Sequence, residues 1–196
     1  MNVATRFVTL ALTLLLPAAV VAHAPGAAGE SGFVVGFVHP LAGLDHLLAM
    51  LAVGMWGAQL GNPALWALPV AFPLIMAAGA TAGIVGLALP GVETIIVGSV
   101  VVLGALIAAD QRPRWHWALI AVAVFAIAHG HAHGTELPAH TGAAAYSMGF
   151  VLATGLIHLA GIAIGCVTEL PRGLLLLRGG GGAIALAGLA LSVGLL

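Results

Sequence analysis

Histidine and carboxylate residues collect in two short runs of an otherwise apolar chain. The first run is His39-Pro-Leu-Ala-Gly-Leu-Asp45-His46, and the second is His129-Gly130-His131-Ala132-His133-Gly134-Thr135-Glu136. Neutral imidazole and carboxylate suit Ni²⁺, Co²⁺, Zn²⁺ or Cu²⁺, whereas an all-oxygen set would suit Mg²⁺ or Ca²⁺. In helical register His129, His133 and Glu136 form a single stripe at i, i+4 and i+7, while His131 points nearly opposite. His39 and His46 are seven apart and share a face if the segment is helical, with Asp45 adjacent. Asp45 has two roles open to it, as a direct ligand or as an acceptor that holds His46 in one tautomer. Glu93 and His140 add to the same end of the chain's apolar segments, and His158 offers a deeper station. A lone histidine in an apolar segment often serves only as a helix-to-helix hydrogen bond. Two segments loaded with histidine and carboxylate each need buried partners, and a metal ion supplies them.

The surrounding sequence says what positions these groups. Of 196 residues 62% are hydrophobic and 6% charged, with five basic and six acidic residues. A soluble domain carries roughly a quarter charged residues, so the solvent for most of this surface is lipid. Lysine is absent and the net charge of −1 argues against nucleic acid as a partner. The single cysteine, Cys166, excludes an intrachain disulfide and a multi-cysteine metal site. Arg6, the apolar stretch from Phe7 to Val21 and the small residues after it read as a signal peptide over 1–22. Cleavage after Ala22 leaves His23 at the N-terminus, where its amine and imidazole could chelate together; cleavage after Ala24, or an uncleaved first helix, are the alternatives.

Beyond the signal, 23–196 reads as one all-α integral membrane domain, a bundle of six transmembrane helices. Breaks at Gly61-Asn62-Pro63, Pro90-Gly91, Pro113, Pro138 and Pro171 delimit spans at about 38–60, 64–88, 91–109, 115–133, 142–167 and 174–196. Pro40 suits a first helical position. Pairs of small residues four apart, such as Gly57 and Gly61, Gly79 and Gly83, and Gly161 and Gly165, suit close helix packing. A cleaved signal and the placement of Arg112, Arg114, Arg172 and Arg178 both put the arginine-bearing loops in the cytoplasm and both mature termini outside the inner membrane. His116, between Trp115 and Trp117, then marks the cytoplasmic interface. The metal-capable groups converge on the outer half, with His158 past the midplane.

At these residues the chain resembles the HupE/UreJ family of nickel and cobalt permeases. The run from His39 to His46 is similar to the family's histidine, five residues, Asp-His signature in the first mature span. The run from His129 to Glu136 is similar to its His-Gly-x-Ala-His-Gly-x-Glu signature in the fourth, with Ala128 standing where an aromatic is usual. His158 is similar to a histidine of the family's fifth span. The resemblance implies a permease supplying nickel for hydrogenase or urease maturation, or cobalt for cobalamin. It also implies roles in transport for His39, Asp45, His46, His129, His133 and Glu136.

The function expected is therefore transport of a divalent transition-metal ion, Ni²⁺ first and Co²⁺ second, and not catalysis. The metal-site candidates are His39, Asp45, His46, His129, His133, Glu136, His158, His131 and His23. No prosthetic cofactor is expected; the partners are the ion and the bilayer, and a homo-oligomer is compatible with the chain. Without a lysine there is no phosphate-binding loop, so the driving force is the ion's gradient, the membrane potential or a separate partner. A membrane metalloenzyme or metal sensor built on the same clusters is the rival reading. It lacks a His-Glu-x-x-His protease motif and a carboxylate-rich set for two irons.

Overall fold

The computed structural model describes residues 32–136 and 142–196, and among them it contains helices and no strands. The signal segment 1–22, His23 and His140 lie outside the described residues. The helices are α1 (Gly32–Ala42), α2 (Leu44–Leu60), α3 (Ala64–Ile84), α4 (Val92–Ala108), α5 (Trp115–Thr135), α6 (Ala143–Gly165) and α7 (Gly173–Ser192). A 3₁₀ turn, Cys166–Glu169, continues α6. Four of these segments are long and apolar enough to cross a membrane, namely α3, α5, Ala144–Glu169 and α7. The count is five if α1 and α2 make one bent span, and α4 is a shorter apolar helix of 17 residues. Long apolar side chains such as Trp66, Leu74, Ile120, Leu159, Leu176 and Leu186 stand exposed on the outside of the bundle. Such a surface belongs in lipid.

The first expected span is not one helix from residue 38. The apolar run Phe33 to Val38 carries the helix back to Gly32, so Pro40 sits near the end of α1 rather than at its start. Proline lacks the N–H that would bond four residues back. Gly43 then adopts extended backbone (φ −90°, ψ 114°), and α2 leaves at 81° to α1.

α2 lies at the centre of the bundle, packed against α1, α3, α4 and α6. Met50, Val53, Met55 and Trp56 are all buried, as expected of a helix that is apolar on every side. At its far end the buried Gln59 donates to the Ile107 carbonyl (3.2 Å) and to Asp110 Oδ1 (2.8 Å), and Trp56 Nε1 donates to the Gln111 carbonyl (3.1 Å). Asp110 also accepts from Arg112 Nε at 2.8 Å, so it is a structural partner and not merely a solvated loop charge. Arg178 reaches from α7 to the carbonyl of Ala108 at the end of α4 (2.7 Å), a favourable place for a cation.

Glycine governs the tightest helix contacts. A Cβ on Gly79 or Gly83 of α3 would strike the Ile127 or His131 carbonyl of α5. In return, a Cβ on Gly130 or Gly134 would strike the Met76 or Ala80 carbonyl of α3. Gly161 and Gly165 meet α2 in the same manner. Gly61 does not: it has φ +76° with nothing within 4 Å of a Cβ, and it is the turn residue that ends α2.

Candidate metal centre

His39 lies in the last turn of α1, and Asp45 and His46 in the first turn of α2. On a straight helix seven residues would separate the two histidines by about 10 Å along the axis. The bend at Gly43 instead turns both rings onto His133 of α5. Ring centroids lie 4.9 Å apart for His39 and His133, and 4.4 Å apart for His46 and His133. His46 is also 4.9 Å from His129, one turn along α5. Four imidazoles from three helices are thus nested together. Gly43 leaves room for this, because a Cβ there would stand 3.1 Å from Asp45 Oδ1 and 3.2 Å from His46 Nδ1.

The hydrogen bonds fix where the free lone pairs lie. A carboxylate and a carbonyl can only accept. His46 Nδ1–H therefore donates to Asp45 Oδ1 (2.8 Å), which also accepts the His46 backbone N–H at 2.8 Å. His129 Nδ1–H donates to the Phe125 carbonyl at 2.9 Å, one turn back. Both rings then present Nε2 as the unprotonated nitrogen, and Nε2 of His46, His129 and His133 is buried without a partner. Orphan buried nitrogens of this kind are costly, and a Lewis acid satisfies those that are unprotonated. Asp45 thus accepts both N–H groups of His46 through one carboxylate oxygen.

A second grouping lies at the edge of the first. His39 Nε2 and His133 Nδ1 are 3.0 Å apart, and His39 Nε2 is 3.8 Å from Glu136 Oε2. One ligand atom from each of His39, His133 and Glu136 falls within 4.8 Å of the others, close enough for one ion. Glu136 is exposed and His133 is buried, so the trio leads from the surface inward. A cavity of about 140 Å³, lined by Pro73, Met76, His133, Tyr146, Ser147 and Phe150, adjoins the same ring.

The structure does not bring every candidate here. His131 points away, as its register requires, and its Nε2–H donates to the Leu87 carbonyl (2.6 Å) beyond α3. Glu93 is exposed in a groove with Leu189, Leu191 and Ser192 of the α7 end. His116 is exposed between its two tryptophans at the opposite end of α5. His158 lies on α6, 1% exposed, with both ring nitrogens unpartnered. Phe72 of α3 packs against both it and the cluster, 5.3 Å from the His158 ring and 5.5 Å from the His129 ring.

Sequence reasoning missed Tyr146, Phe150 and Thr154. With His158 they repeat every four residues along α6, and all four are buried. That periodic stripe ending in a histidine was a legible signal. Tyr146 and Phe150 pack against His39, with centroids at 5.8 and 6.2 Å.

A family model described as HupE / UreJ protein matches residues 10–191 of the chain. Protein HupE of Rhizobium leguminosarum bv. viciae is 43% identical over 190 residues, an alignment covering 97% of this chain and 98% of that protein. No solved structure matches the chain.

Proposed function

The chain belongs to the HupE/UreJ family, and from that premise we propose that it is a permease for a divalent transition-metal ion, Ni²⁺ foremost with Co²⁺ as the near alternative. The observation that carries this reading is the nest of four histidine rings with three buried, unpartnered Nε2 atoms. Such a set suits borderline metals and does not suit Mg²⁺ or Ca²⁺. An ion is first held by Glu136, His39 and His133, where part of its hydration shell is lost. It then passes to the Nε2 atoms of His46, His129 and His133, and onward to His158. His131 is left out of this set because its Nε2–H is given to a carbonyl.

In this reading the bundle crosses the inner membrane six times, with α1 and α2 as one broken span and α4 as a short one. The histidine end faces outward, the arginine end faces the cytoplasm, and the signal is cleaved after Ala22. A broken helix at membrane depth is tolerated where its backbone is buried in protein or lines a cavity. The membrane potential then favours uptake by roughly 2.3 kcal/mol per charge per 100 mV. The ion so delivered is available for maturation of a nickel or cobalt enzyme.

The test is radiolabelled Ni²⁺ uptake in a nickel-transport-deficient host expressing the full chain. Time-dependent uptake above the empty-vector control, reduced by excess Co²⁺, is expected. A well-expressed protein that moves neither metal would overturn the proposal.

Two further results are expected in the same assay. Imidazole ligates only when unprotonated, so uptake should fall once external pH is low enough to protonate the capture rings. Uptake undiminished at every acid pH at which the protein stays folded would argue against histidine capture. Asp45→Asn removes the charge that orients His46 while keeping the side chain's size. Loss of such an orienting partner costs roughly 10–100-fold in metal affinity, and it should be read here as a raised KM for uptake.

A further inference from the structure

Phe72 supplies no polar atom, yet its ring packs against both His129 and His158. Its ring makes edge contacts with the two imidazoles, at interplanar angles of 66° and 73°, and it is 0% exposed. It packs against His129, whose Nε2 is buried and unpartnered, and against His158, with both nitrogens buried and unpartnered. Two nitrogen stations with free ligand capacity thus share one hydrocarbon ring as their common neighbour. A bare or partly hydrated dication cannot cross that ring by exchanging ligands, because the ring offers it none.

The helix that carries Phe72 is built to yield there. α3 contains Pro69 and Pro73, three residues before and one residue after Phe72. Neither proline has an N–H, so the carbonyls of Leu65 and Pro69 receive no bond from four residues ahead. Two rungs of the helical ladder are missing around the turn that bears the ring. Bending of that turn breaks fewer hydrogen bonds than bending elsewhere in α3.

We propose that the Phe72 ring is the constriction between an outer metal station at His129 and an inner one at His158, and that its displacement sets the rate of ion passage. The proposal rests on the permease reading above. Because the ring contributes no ligand atom, its size should alter passage and leave equilibrium capture at the outer rings unchanged.

The test compares Phe72→Trp and Phe72→Leu with wild type in two assays on the purified full chain. One is equilibrium Co²⁺ binding in detergent; the other is Co²⁺ uptake into proteoliposomes under an imposed potential. Phe72→Trp should slow uptake roughly tenfold, a barrier change of about 1.4 kcal/mol, and Phe72→Leu should speed it, both with Co²⁺ affinity unchanged. Wild-type rates in both variants, or slowing in both, would overturn the constriction. Loss of Co²⁺ binding in the variants would overturn it as well, since Phe72 would then be shaping the outer site. A wild-type protein that binds and moves no Co²⁺ or Ni²⁺ would instead remove the permease reading, and the constriction with it.

Discussion

Alanine at His129 or His133 is expected to abolish metal uptake. Both side chains are buried on α5 with an unpartnered Nε2, and His133 packs against both His39 and His46. His133 therefore belongs to both groupings, the surface trio with Glu136 and the buried set with His129. Removing it leaves neither group complete. Losing a residue that only orients a ligand costs roughly 10–100-fold in affinity, and losing a ligand should cost more than that. Initial rates of radiolabelled Ni²⁺ uptake at matched expression should drop to the vector background in both variants. His116→Ala is the control, an exposed histidine at the far end of the same helix, and should transport like wild type. Glu136→Gln should fall between these limits, because Glu136 is exposed and a water can stand in for one of its oxygens. Background-level loss in His116→Ala, or near-normal uptake in His133→Ala, would contradict the assignment.

The second large effect concerns folding. Gly134→Leu should prevent α3 and α5 from packing, because even a Cβ at Gly134 runs into the Ala80 carbonyl. Overpacking a core costs about 1–3 kcal/mol where side chains can shift, and more where they cannot. Here the obstacle is backbone, so the helices must separate. Total stabilities are only about 5–15 kcal/mol, and parting α3 from α5 also pulls His129 and His133 off the site. Fluorescence-detected size-exclusion chromatography should show loss of the monodisperse peak for Gly134→Leu. Gly98→Ala should leave it intact, since nothing lies within 4 Å of a Cβ at that position. A normal peak for Gly134→Leu would show that the helices can part without unfolding.

These two predictions draw on different readings of one motif. The run His129 to Glu136 reads from sequence as a metal stripe, and its histidine spacing places His129 and His133 on one face. The glycines between them carry a second message, legible only with the partner helix in view: Gly130 and Gly134 are the surface on which α3 lies. The helical class follows from apolar runs, and the expected breaks at Gly61-Asn62-Pro63, Pro90-Gly91, Pro113 and Pro171 fall between helices, while the Pro138 break lies outside the described residues. The bend at Gly43 was not legible. A seven-residue spacing suggests one helical face, and only tertiary packing shows the helix broken, with both His39 and His46 packed against His133. The bond from Gln59 to Asp110 was illegible for a similar reason, since the two residues are 51 apart in the chain. The role of Phe72 was invisible because an apolar residue in an apolar helix carries no local signal.

The most direct test of the histidine nest is X-ray absorption spectroscopy on the purified full chain loaded with Ni²⁺. The expected spectrum shows nitrogen and oxygen ligands with the outer scattering typical of imidazole, and that scattering should weaken in His129→Ala. A bound ion with an all-oxygen shell, unchanged by His129→Ala, would contradict the assignment of the cargo to these rings.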